Sequence, residues 1–504
     1  MVTSKIDANV DGVVAAFTAA SADRLDEPYR RLIDVAWQDG RGTGAAPAVL
    51  RLLTARFAGL GEEHQGRAAV LLGLLLEGAD LTAVAAEHCT TYLEAWRRTR
   101  NGQPLFFALL YLLAHFPDYR DQVLAAAEQL RPDPDDRSRL ERALQRLDPA
   151  APQLGRAFPA PVAWAMDDDE RGFDQTWIDA LSPAQVRRHW DNDTETVLGY
   201  LGAKAHWAVA NGTPVPFVPQ AGGTRFVEPA PAGSNPHLLL TRHITALRCP
   251  HCHGGLVVRS ASVVCTGCAR TYPIEGGILD LTATAADRSG DFLFRLAEMP
   301  AMGYFYETYA RPNFLRVCGA NWGGRFTPAD EDAYIARNVC PVEGPVLDLA
   351  AGAGRWTSVL AEAVGADRVI ALDLGPPMLA ALRERLPEVP AVLAGAAVLP
   401  FGDAVLGAVL CWNALQAFPA DAPAAIAEVG RCLRPGGTFT LLTFRNSDEP
   451  VYRYFVGRHH FPQHVDGLRL FDRPDVVEWI TGAGMRIRDE FDHGLFVIIT
   501  AERT

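Results

Sequence analysis

Residues 346–373 read VLDLAAGAGRWTSVLAEAVGADRVIALD and predict the fold of the C-terminal part of the chain. An apolar run ends at Asp348, small residues follow as far as Gly354, a helical pattern covers 355–364, and a second apolar run ends at Asp373. This order predicts one βαβ unit with space for an adenosine-containing cofactor. The second acid, Asp373, can accept hydrogen bonds from the ribose hydroxyls of such a cofactor. A helix packed closely on a strand needs the same small residues, so the motif alone leaves that structural alternative open.

The residues after 373 continue the alternation of strands and helices. Strand-like segments follow at 392–401, 408–415 and 433–444, and residues 485–501 read as two strands joined by a turn at Gly494. We expect this last pair to be antiparallel at the end of an otherwise mostly parallel, Rossmann-like α/β sheet, an ending that a nicotinamide-binding domain does not normally have. The order and spacing of the segments resemble a class I S-adenosylmethionine-dependent methyltransferase over about residues 339–501.

The resemblance implies where the cofactor, S-adenosylmethionine, would bind. It places Asp348, Ala350, Gly352 and Gly354 around the methionine part, Asp373 on the ribose, Leu374 and Met378 beside the adenine, Ala396 at the adenine edge, and Cys411, Trp412 and Asn413 on the floor between cofactor and substrate.

The chain departs from the family pattern at three positions. The family often has glycine where Ala350 stands, and it commonly has acids where Gly395 and Gly407 stand. The missing acid at 395 removes a usual partner of the adenine amino group, a loss of about 1 kcal/mol of binding. A chain that has lost methylation is therefore an alternative to an active enzyme.

Four cysteines form two C-x-x-C pairs in the pattern CPHC-x12-CTGC: Cys249, Cys252, Cys265 and Cys268. Two such knuckles joined by a short hairpin bring four thiolates to one tetrahedral metal, which predicts structural Zn²⁺. Disulfides fit poorly with a chain whose sequence shows no secretion signal. Because four thiolates leave no open coordination position, we do not expect a catalytic metal.

The residues around these cysteines, 241–285, resemble the small zinc-ribbon activator subunit of certain tRNA and translation-factor methyltransferases. They are also similar to the ribbon of zinc-ribbon rRNA guanine methyltransferases. The resemblance implies a ribbon fused ahead of the catalytic domain. It leaves the substrate open, because related ribbons accompany both macromolecular and small-molecule methylation.

The N-terminal region is rich in alanine and leucine and shows helical spacing at 46–57, 67–77, 90–98, 104–115, 119–130, 136–147 and, further on, 194–211. These helices form either a HEAT-like stack of pairs or an irregular bundle. The whole chain is thereby predicted to divide into an α-helical domain with a Pro/Gly linker (1–235), the ribbon (241–285), a helical lid or substrate segment (286–338) and the methyltransferase domain (339–504).

Methyl transfer depends mainly on aligning the acceptor atom with the methyl group, and sometimes on removing a proton. Candidate catalytic residues are His459 and His460 in VGRHHFPQHVDG, and Tyr309 in MGYFYETYARPNFLRV. The alternatives are polar loop surface for the histidines and packing aromatics for the tyrosine.

Composition narrows the classes of partner. The net charge is −13 and no basic stripe is visible, which argues against a nucleic-acid partner. No long uninterrupted apolar run and no signal-peptide pattern is visible, so we expect no membrane association and a cytoplasmic location. The sequence fixes no oligomeric state.

These patterns together predict a methyltransferase that acts in biosynthesis on a small molecule or a peptide-borne metabolite. An RNA or protein methyltransferase is the first alternative. A non-methylating cyclase or scaffold that binds S-adenosylmethionine is the second.

Overall fold

A computed structural model describes residues 2–78, 81–154, 172, 175–176, 178–213, 236–282, 326–460 and 470–504. The chain forms two compact units. One, which we call the helical unit, comprises 1–218, 315–323 and 447–468. The other, the sheet unit, comprises 219–314, 324–446 and 469–504. Unlike the predicted boundaries, these units assign residues 447–468 to the helices.

The helical unit is built from amphipathic and fully apolar helices joined by short turns. They are α1 (Val2–Ala19), α2 (Asp26–Ala36), α3 (Ala46–Arg56), α4 (Glu62–Gly78), α5 (Thr82–Ala86), α6 (Cys89–Arg97), α7 (Pro104–Leu113), α8 (Arg120–Leu130), α9 (Pro134–Ala143) and α10 (Pro183–Asn211), with a two-residue hairpin β1 (Trp37–Gln38) and β2 (Arg41–Gly42) between α2 and α3. The six predicted helices before residue 150 correspond to α3, α4 and α6–α9, whereas α1, α2 and α5 were not predicted.

Helix α7 lies at the centre of this unit. Every residue from Leu105 to Leu113 is buried, and α4, α6 and α10 pack against the helix. A helix covered on all sides needs no polar face, which explains the continuous apolar sequence PLFFALLYLL. Of the two predicted arrangements, the described helices form a bundle around α7.

Helix α10 begins eleven residues before the predicted start at 194. Ser182 and Gln185 form a capping box there, since each side chain satisfies the backbone N–H of the other. The helix ends at Gly212, whose positive φ of 61° suits a residue without a side chain. This long helix supplies one wall of the unit's core.

The sheet unit contains α11 (Pro236–His243), α12 (Pro328–Asn338), α13 (Arg355–Val364), α14 (Pro376–Arg385), α15 (Ala422–Cys432) and α17 (Arg473–Gly482); the intervening α16 (Pro450–Gly457) belongs to the helical unit. Its strands are β3 (Leu256–Val258), β4 (Ser262–Cys265), β5 (Thr271–Glu275), β6 (Ile278–Asp280), β7 (Val346–Leu349), β8 (Val369–Asp373), β9 (Ala391–Leu393), β10 (Leu406–Trp412), β11 (Leu433–Phe444), β12 (Met485–His493) and β13 (Phe496–Arg503).

The strands form one sheet in the order β12-β13-β11-β10-β7-β8-β9-β6-β5-β4-β3. Strands β11, β10, β7, β8, β9 and β6 pair in parallel, and β13 pairs antiparallel with both β11 and β12. The predicted mixed sheet with a terminal antiparallel hairpin is thus confirmed. The cysteine ribbon, β3 to β6, extends the same sheet through the β6–β9 pair, a continuity that its sequence did not predict.

Helix α16 completes the core of the helical unit, although it lies between two elements of the sheet unit in sequence. Its Val451 and Phe455 are almost fully buried in the core around α7. A Cβ placed on Gly202 of α10 would lie 2.2 Å from the Phe455 ring, and one on Gly199 would lie 2.8 Å from the Phe455 carbonyl oxygen. The two glycines therefore let α16 pack directly against the α10 backbone.

Buried charges add to this contact. The carboxylate of Glu77, 1% exposed, accepts a hydrogen bond from Tyr454 at 3.0 Å and lies 3.4 Å from Arg458 Nε. Arg458 Nη1 lies 3.2 Å from Glu195 of α10. We call Glu77, Glu195, Gly199 and Gly202 the α16 seat.

The residues on either side of segment 447–468 lie next to each other in the sheet unit. Arg445 forms a parallel bridge with Phe471, and the backbone N–H of Asn446 donates to the Phe471 oxygen at 2.8 Å. The Asn446 amide also donates to Leu470 and Asp472, each at 3.0 Å. Residues 445–446 and 470–472 are thereby held side by side at the end of β11.

Candidate cofactor crevice and zinc site

Asp348 is the next-to-last residue of β7 in the sheet unit and is 2% exposed. Its carboxylate accepts a hydrogen bond of 2.6 Å from the Thr357 hydroxyl, on the first turns of α13. Burial raises its pKa to about 7; the negative charge of Asp373 acts in the same direction and the Thr357 hydrogen bond opposes it. A carboxylate at this depth is favourable when a cation approaches it, because the charge is then paired.

The loop between β7 and α13 has a left-handed backbone at three positions. The φ angles are 59° at Ala350, 56° at Gly352 and 87° at Gly354, which is also the N-cap of α13. Ala350 accepts this conformation at a cost of about 1 kcal/mol, where glycine would be free of it. No side chain caps α13, and uncapped N–H groups at the N-terminus of a helix favour binding of an anion.

Asp373 at the end of β8 joins the two halves of the crevice. One carboxylate oxygen accepts the Gly352 N–H at 2.8 Å and the other accepts the Gly375 N–H at 2.8 Å. Burial raises its pKa, while these backbone hydrogen bonds lower it in part. The carboxylate therefore fixes the glycine loop and keeps acceptor lone pairs for a ligand's hydroxyls.

The side assigned to adenine is open and apolar. Leu374 is 36% exposed and Val398 is 54% exposed, among few large apolar side chains so exposed in the described part of the chain. Ala396 and Met378, on neighbouring segments, are partly buried. Strands β8 and β9 end side by side here, so these side chains offer an apolar edge to an aromatic ring.

The two missing acids have different structural causes. A Cβ on Gly395 would meet nothing within 4 Å, so an aspartate would fit there. A Cβ on Gly407 would lie 2.4 Å from the Val342 carbonyl oxygen, so no side chain fits. Glycine is required at position 407 because the chain before β7 packs against it. The absence of the family's acid at this position therefore does not indicate a loss of activity.

The floor of the crevice follows β10. Trp412 is 2% exposed, and Asn413, with φ of 59°, donates its backbone N–H to the Leu442 oxygen at 2.9 Å. The Gln416 amide donates to the Asn413 backbone oxygen at 2.8 Å and to its side-chain oxygen at 3.0 Å. Thr443 in turn donates to Gln416 at 3.2 Å. This chain of buried hydrogen bonds holds Asn413 in its unusual conformation.

The four ribbon cysteines meet as the sequence predicted. Their sulfur atoms all lie within 4.8 Å of one another, with 3.7 Å between Cys249 and Cys268 and 3.4 Å between Cys252 and Cys265. Tetrahedral Zn²⁺ with Zn–S bonds of about 2.3 Å separates its sulfurs by about 3.8 Å, so the cluster fits the ion. A Cβ on Gly254 would lie 3.1 Å from Cys265 Sγ, which explains a glycine beside the sulfurs.

The ribbon also supports the loop that follows β9. Arg248, next to Cys249, donates its N–H to the Pro400 oxygen at 2.9 Å. The Gly402 N–H donates to the Ala246 oxygen at 3.0 Å, so the first knuckle and this loop exchange backbone hydrogen bonds.

The candidate catalytic residues differ in what the structure describes. His459 is buried, and His460 Nε2 lies 2.6 Å from a carboxylate oxygen of Glu195. The His460 N–H donates to the Thr196 hydroxyl at 2.9 Å. Both histidines belong to the helical unit, whereas Tyr309 lies outside the described residues. Their catalytic roles remain predictions.

Several residues of the crevice escaped sequence analysis. Thr357 stands nine residues after Asp348, and Gln416 stands three residues after Asn413, so local spacing could have indicated both contacts. Glu331, which accepts the Trp412 indole N–H, stands 81 residues away. No local pattern marks such a partner.

With this geometry in place, known proteins can be compared. Residues 346–437 match the methyltransferase domain family. This part of the sheet unit is therefore a methyltransferase domain. The match covers β7 to the first half of β11, the part of the methyltransferase domain that holds the glycine loop, Asp373 and the floor.

Two curated relatives are similar in sequence to part of this chain. An uncharacterised chloroplastic methyltransferase of Arabidopsis thaliana is 30% identical over 224 residues, which are 39% of this chain and 61% of the relative. A trans-aconitate 2-methyltransferase of Acidovorax ebreus is 33% identical over 129 residues, 26% of this chain and 48% of the relative. The chain thus spans only about half to three fifths of these relatives.

A solved structure, the complex between the Haloferax volcanii Trm112 methyltransferase activator and a methyltransferase, is 18% identical. It covers 34% of this chain and 88% of the solved chain, with a TM-score of 0.29. Separately, none of the helices in the described ranges has both the length and the apolar character needed to cross a bilayer.

Proposed function

We propose that this protein transfers the methyl group of S-adenosylmethionine to a small molecule or a peptide-borne metabolite in a biosynthetic reaction. The observation that carries the proposal is the pair of acids at the ends of β7 and β8, around a left-handed glycine loop, within a matched methyltransferase domain. In such a crevice Asp373 would hold the ribose and Asp348 would lie near the cationic methionine part.

The residues of the chain mainly bind and orient. S-adenosylmethionine, when bound, supplies an electrophilic methyl group on a sulfonium, so that the acceptor atom displaces sulfur and S-adenosylhomocysteine remains. Trp412 and Asn413 would form the surface on which the acceptor approaches, and the Gln416 hydrogen bonds would keep that surface fixed. His460, paired with Glu195, remains our candidate for removing a proton.

Small-molecule acceptors are favoured by two facts. The net charge of −13 opposes binding to phosphate backbones. The name of the Acidovorax relative gives trans-aconitate, a small organic acid, as the acceptor of that protein. We include Zn²⁺ in the proposal as a structural ion, because the closed four-sulfur cluster would leave it no position for substrate.

The test is a labelling experiment with the full-length, zinc-loaded protein. The protein is incubated with methyl-labelled S-adenosylmethionine and, separately, with metabolite, peptide, RNA and protein fractions of a cell extract. We expect label in the metabolite or peptide fraction and release of S-adenosylhomocysteine. Label in RNA or protein would replace the proposed acceptor class. Cofactor binding without transfer in any fraction would favour the non-methylating alternative.

Metal analysis of the same preparation should give about one Zn²⁺ per chain. Removing it with a chelator should destabilise the sheet unit, since β6 of the ribbon pairs with β9. Unchanged thermal unfolding after complete removal of the metal would contradict a structural role.

A further inference from the structure

Helix α12 carries two adjacent acids, Glu331 and Asp332, that reach different parts of the cofactor crevice. The helix is started by a capping box between Thr327 and Asp330, which fixes its first turn. Consecutive residues on a helix point about 100° apart, so neighbouring side chains can contact separate elements. Here the two elements are the end of β10 and the beginning of α13.

Glu331 reaches the crevice floor. It is 2% exposed, and its carboxylate accepts a hydrogen bond of 2.7 Å from the Trp412 indole N–H. An indole N–H has one direction in which to donate, so a fixed acceptor also fixes the plane of the ring. A buried carboxylate is costly, and its presence here requires that the interactions it makes offset the cost of desolvation.

Asp332 reaches the helix that follows the glycine loop. Nη2 of Arg355, the first residue of α13, lies 2.9 Å and 2.7 Å from the two oxygens of Asp332. A positive side chain is unfavourable at a helix N-terminus, because that end already carries positive partial charge. The Asp332 carboxylate neutralises the charge of Arg355 at the N-terminus of α13, the end of the helix that borders the glycine loop.

A third contact anchors α12 to the terminal hairpin. Tyr334, 4% exposed, donates its hydroxyl hydrogen to Asp489 at 2.8 Å and lies 3.3 Å from Thr500. Its ring centre is 5.9 Å from that of Trp412. The helix is thus fastened to β12 and β13 independently of its contacts with the crevice.

We propose that α12 is a brace for the cofactor crevice, in which Glu331 is a positioning residue for Trp412 and Asp332 is a positioning residue for Arg355. The proposal rests on the cofactor site proposed above. It adds that the affinity for the cofactor depends on a helix that lies before the family's motifs and outside the matched residues. Neither acid needs to touch the cofactor for this effect.

The test is a double-mutant cycle on cofactor affinity in the full-length protein. Glu331→Leu and Trp412→Phe each remove one side of the hydrogen bond, and each should weaken S-adenosylmethionine binding about tenfold. The double variant should be little weaker than either single variant, because one interaction is lost in all three. Glu331→Gln, whose amide oxygen still accepts the indole N–H, should restore most of the affinity. Asp332→Asn should weaken binding by a smaller factor.

Asp330→Ala is the matched control. It removes the half of the capping box that the Asp330 carboxylate forms, and no contact to the crevice, so it should lower the melting temperature and leave the dissociation constant unchanged. Affinities are measured by calorimetry well below the unfolding transition.

Three results would overturn the brace. They are unchanged affinity in Glu331→Leu, effects of the two single variants that simply add in the double variant, and an equal loss of affinity in Asp330→Ala. If the unmodified chain bound no cofactor, the proposed function would fail and the brace would fail with it. Binding by the unmodified chain together with any of the three results overturns the brace alone.

Discussion

The cofactor crevice and the α16 seat each contain a buried carboxylate, Asp348 and Glu77, but the surroundings of the two shift the carboxyl pKa in opposite directions. Glu77 in the seat accepts a hydrogen bond from Tyr454 and faces Arg458. Burial acts to raise its pKa, yet His115 and Arg458 lower it below its ordinary value. Asp348 in the crevice is contacted among the described residues only by the Thr357 hydroxyl, and its pKa is raised to about 7.

The difference separates a structural charge from one that is kept for a ligand. In the α16 seat the protein supplies its own cation, so the charge is satisfied as soon as α16 packs. In the crevice no described side chain supplies one, and a cationic ligand would complete the site. Substitutions in the seat should therefore change stability, and substitutions in the crevice should change affinity and its dependence on pH.

The largest effect is expected from Arg458→Ala in the helical unit. Glu77 would remain buried without its arginine, and breaking a buried pair by removing one partner costs about 3–5 kcal/mol of stability. Urea unfolding followed by circular dichroism measures the change. Arg30→Ala is the control, because Arg30 forms an exposed pair with Glu27 and should cost less than about 1 kcal/mol. Equal effects of the two variants would contradict the seat as a structural charge site.

The packing of α16 gives the next largest effect. Gly202→Ala should destabilise the protein by about 1–3 kcal/mol, because its new methyl group would meet the Phe455 ring. The same change at Gly12, a helical glycine of α1 with nothing within 4 Å, should be neutral or stabilising by up to about 1 kcal/mol. Thermal unfolding of both variants tests the opposite signs. A harmless Gly202→Ala would mean that α16 does not pack directly on α10.

The sensitivity of the crevice to pH should be smaller and should appear in binding. The pKa of Asp348 is raised from 3.8 to about 7 in the folded chain. Protonated Asp348 therefore contributes to the free energy of unfolding. This contribution is fully present below the unfolded pKa and is lost as the pH rises through about 7. A bound cation favours the ionised carboxyl, so affinity for S-adenosylmethionine should rise as the pH passes through this range.

Titrations at about pH 6 and about pH 8 measure this linkage, and we expect affinity to increase up to about tenfold. S-adenosylhomocysteine keeps the α-ammonium group but lacks the sulfonium charge, so its affinity should increase less. Asp348→Asn cannot ionise and should remove the dependence. A pH profile that is the same for both ligands would argue against Asp348 as the charge that faces the sulfonium.

The smallest effect concerns two of the three departures from the family pattern, Gly395 and Gly407. Gly395→Asp should tighten cofactor binding by about 1 kcal/mol, since the position is open and regains a hydrogen-bond acceptor. Gly407→Asp is the contrasting variant: its side chain would collide with the Val342 carbonyl oxygen, so it should destabilise the fold without improving affinity. If Gly395→Asp weakened binding, the adenine would not lie beside this loop.

The same two regions show which features a sequence can reveal. Crevice partners are close along the chain: nine residues separate Asp348 from Thr357, and 21 separate Gly352 from Asp373. Such contacts leave a local motif, so the sequence predicted the βαβ unit and the terminal hairpin, whereas the cofactor-binding roles of the crevice positions stay predictions. The four cysteines, in two close pairs, were predictable for the same reason.

The α16 seat left no such pattern. Glu77 and Tyr454 are 377 residues apart, and Glu195 and His460 are 265 apart. The sequence around α16 was therefore interpreted as a loop insertion with candidate catalytic histidines, although the helix packs in the core of the helical unit. The pairing of β6 with β9 escaped prediction similarly, because a short strand does not specify its partner across the intervening chain.

The central claim is that the acids of β7 and β8 form an S-adenosylmethionine site. The most direct measurement is calorimetric titration of the zinc-loaded, full-length protein with S-adenosylmethionine and then S-adenosylhomocysteine, with Asp373→Ala as the comparison. We predict micromolar binding of both ligands by the unmodified chain and its loss in the variant, which should remain folded by circular dichroism. Absence of binding to the unmodified chain, or equal binding by a folded Asp373→Ala variant, would contradict the account.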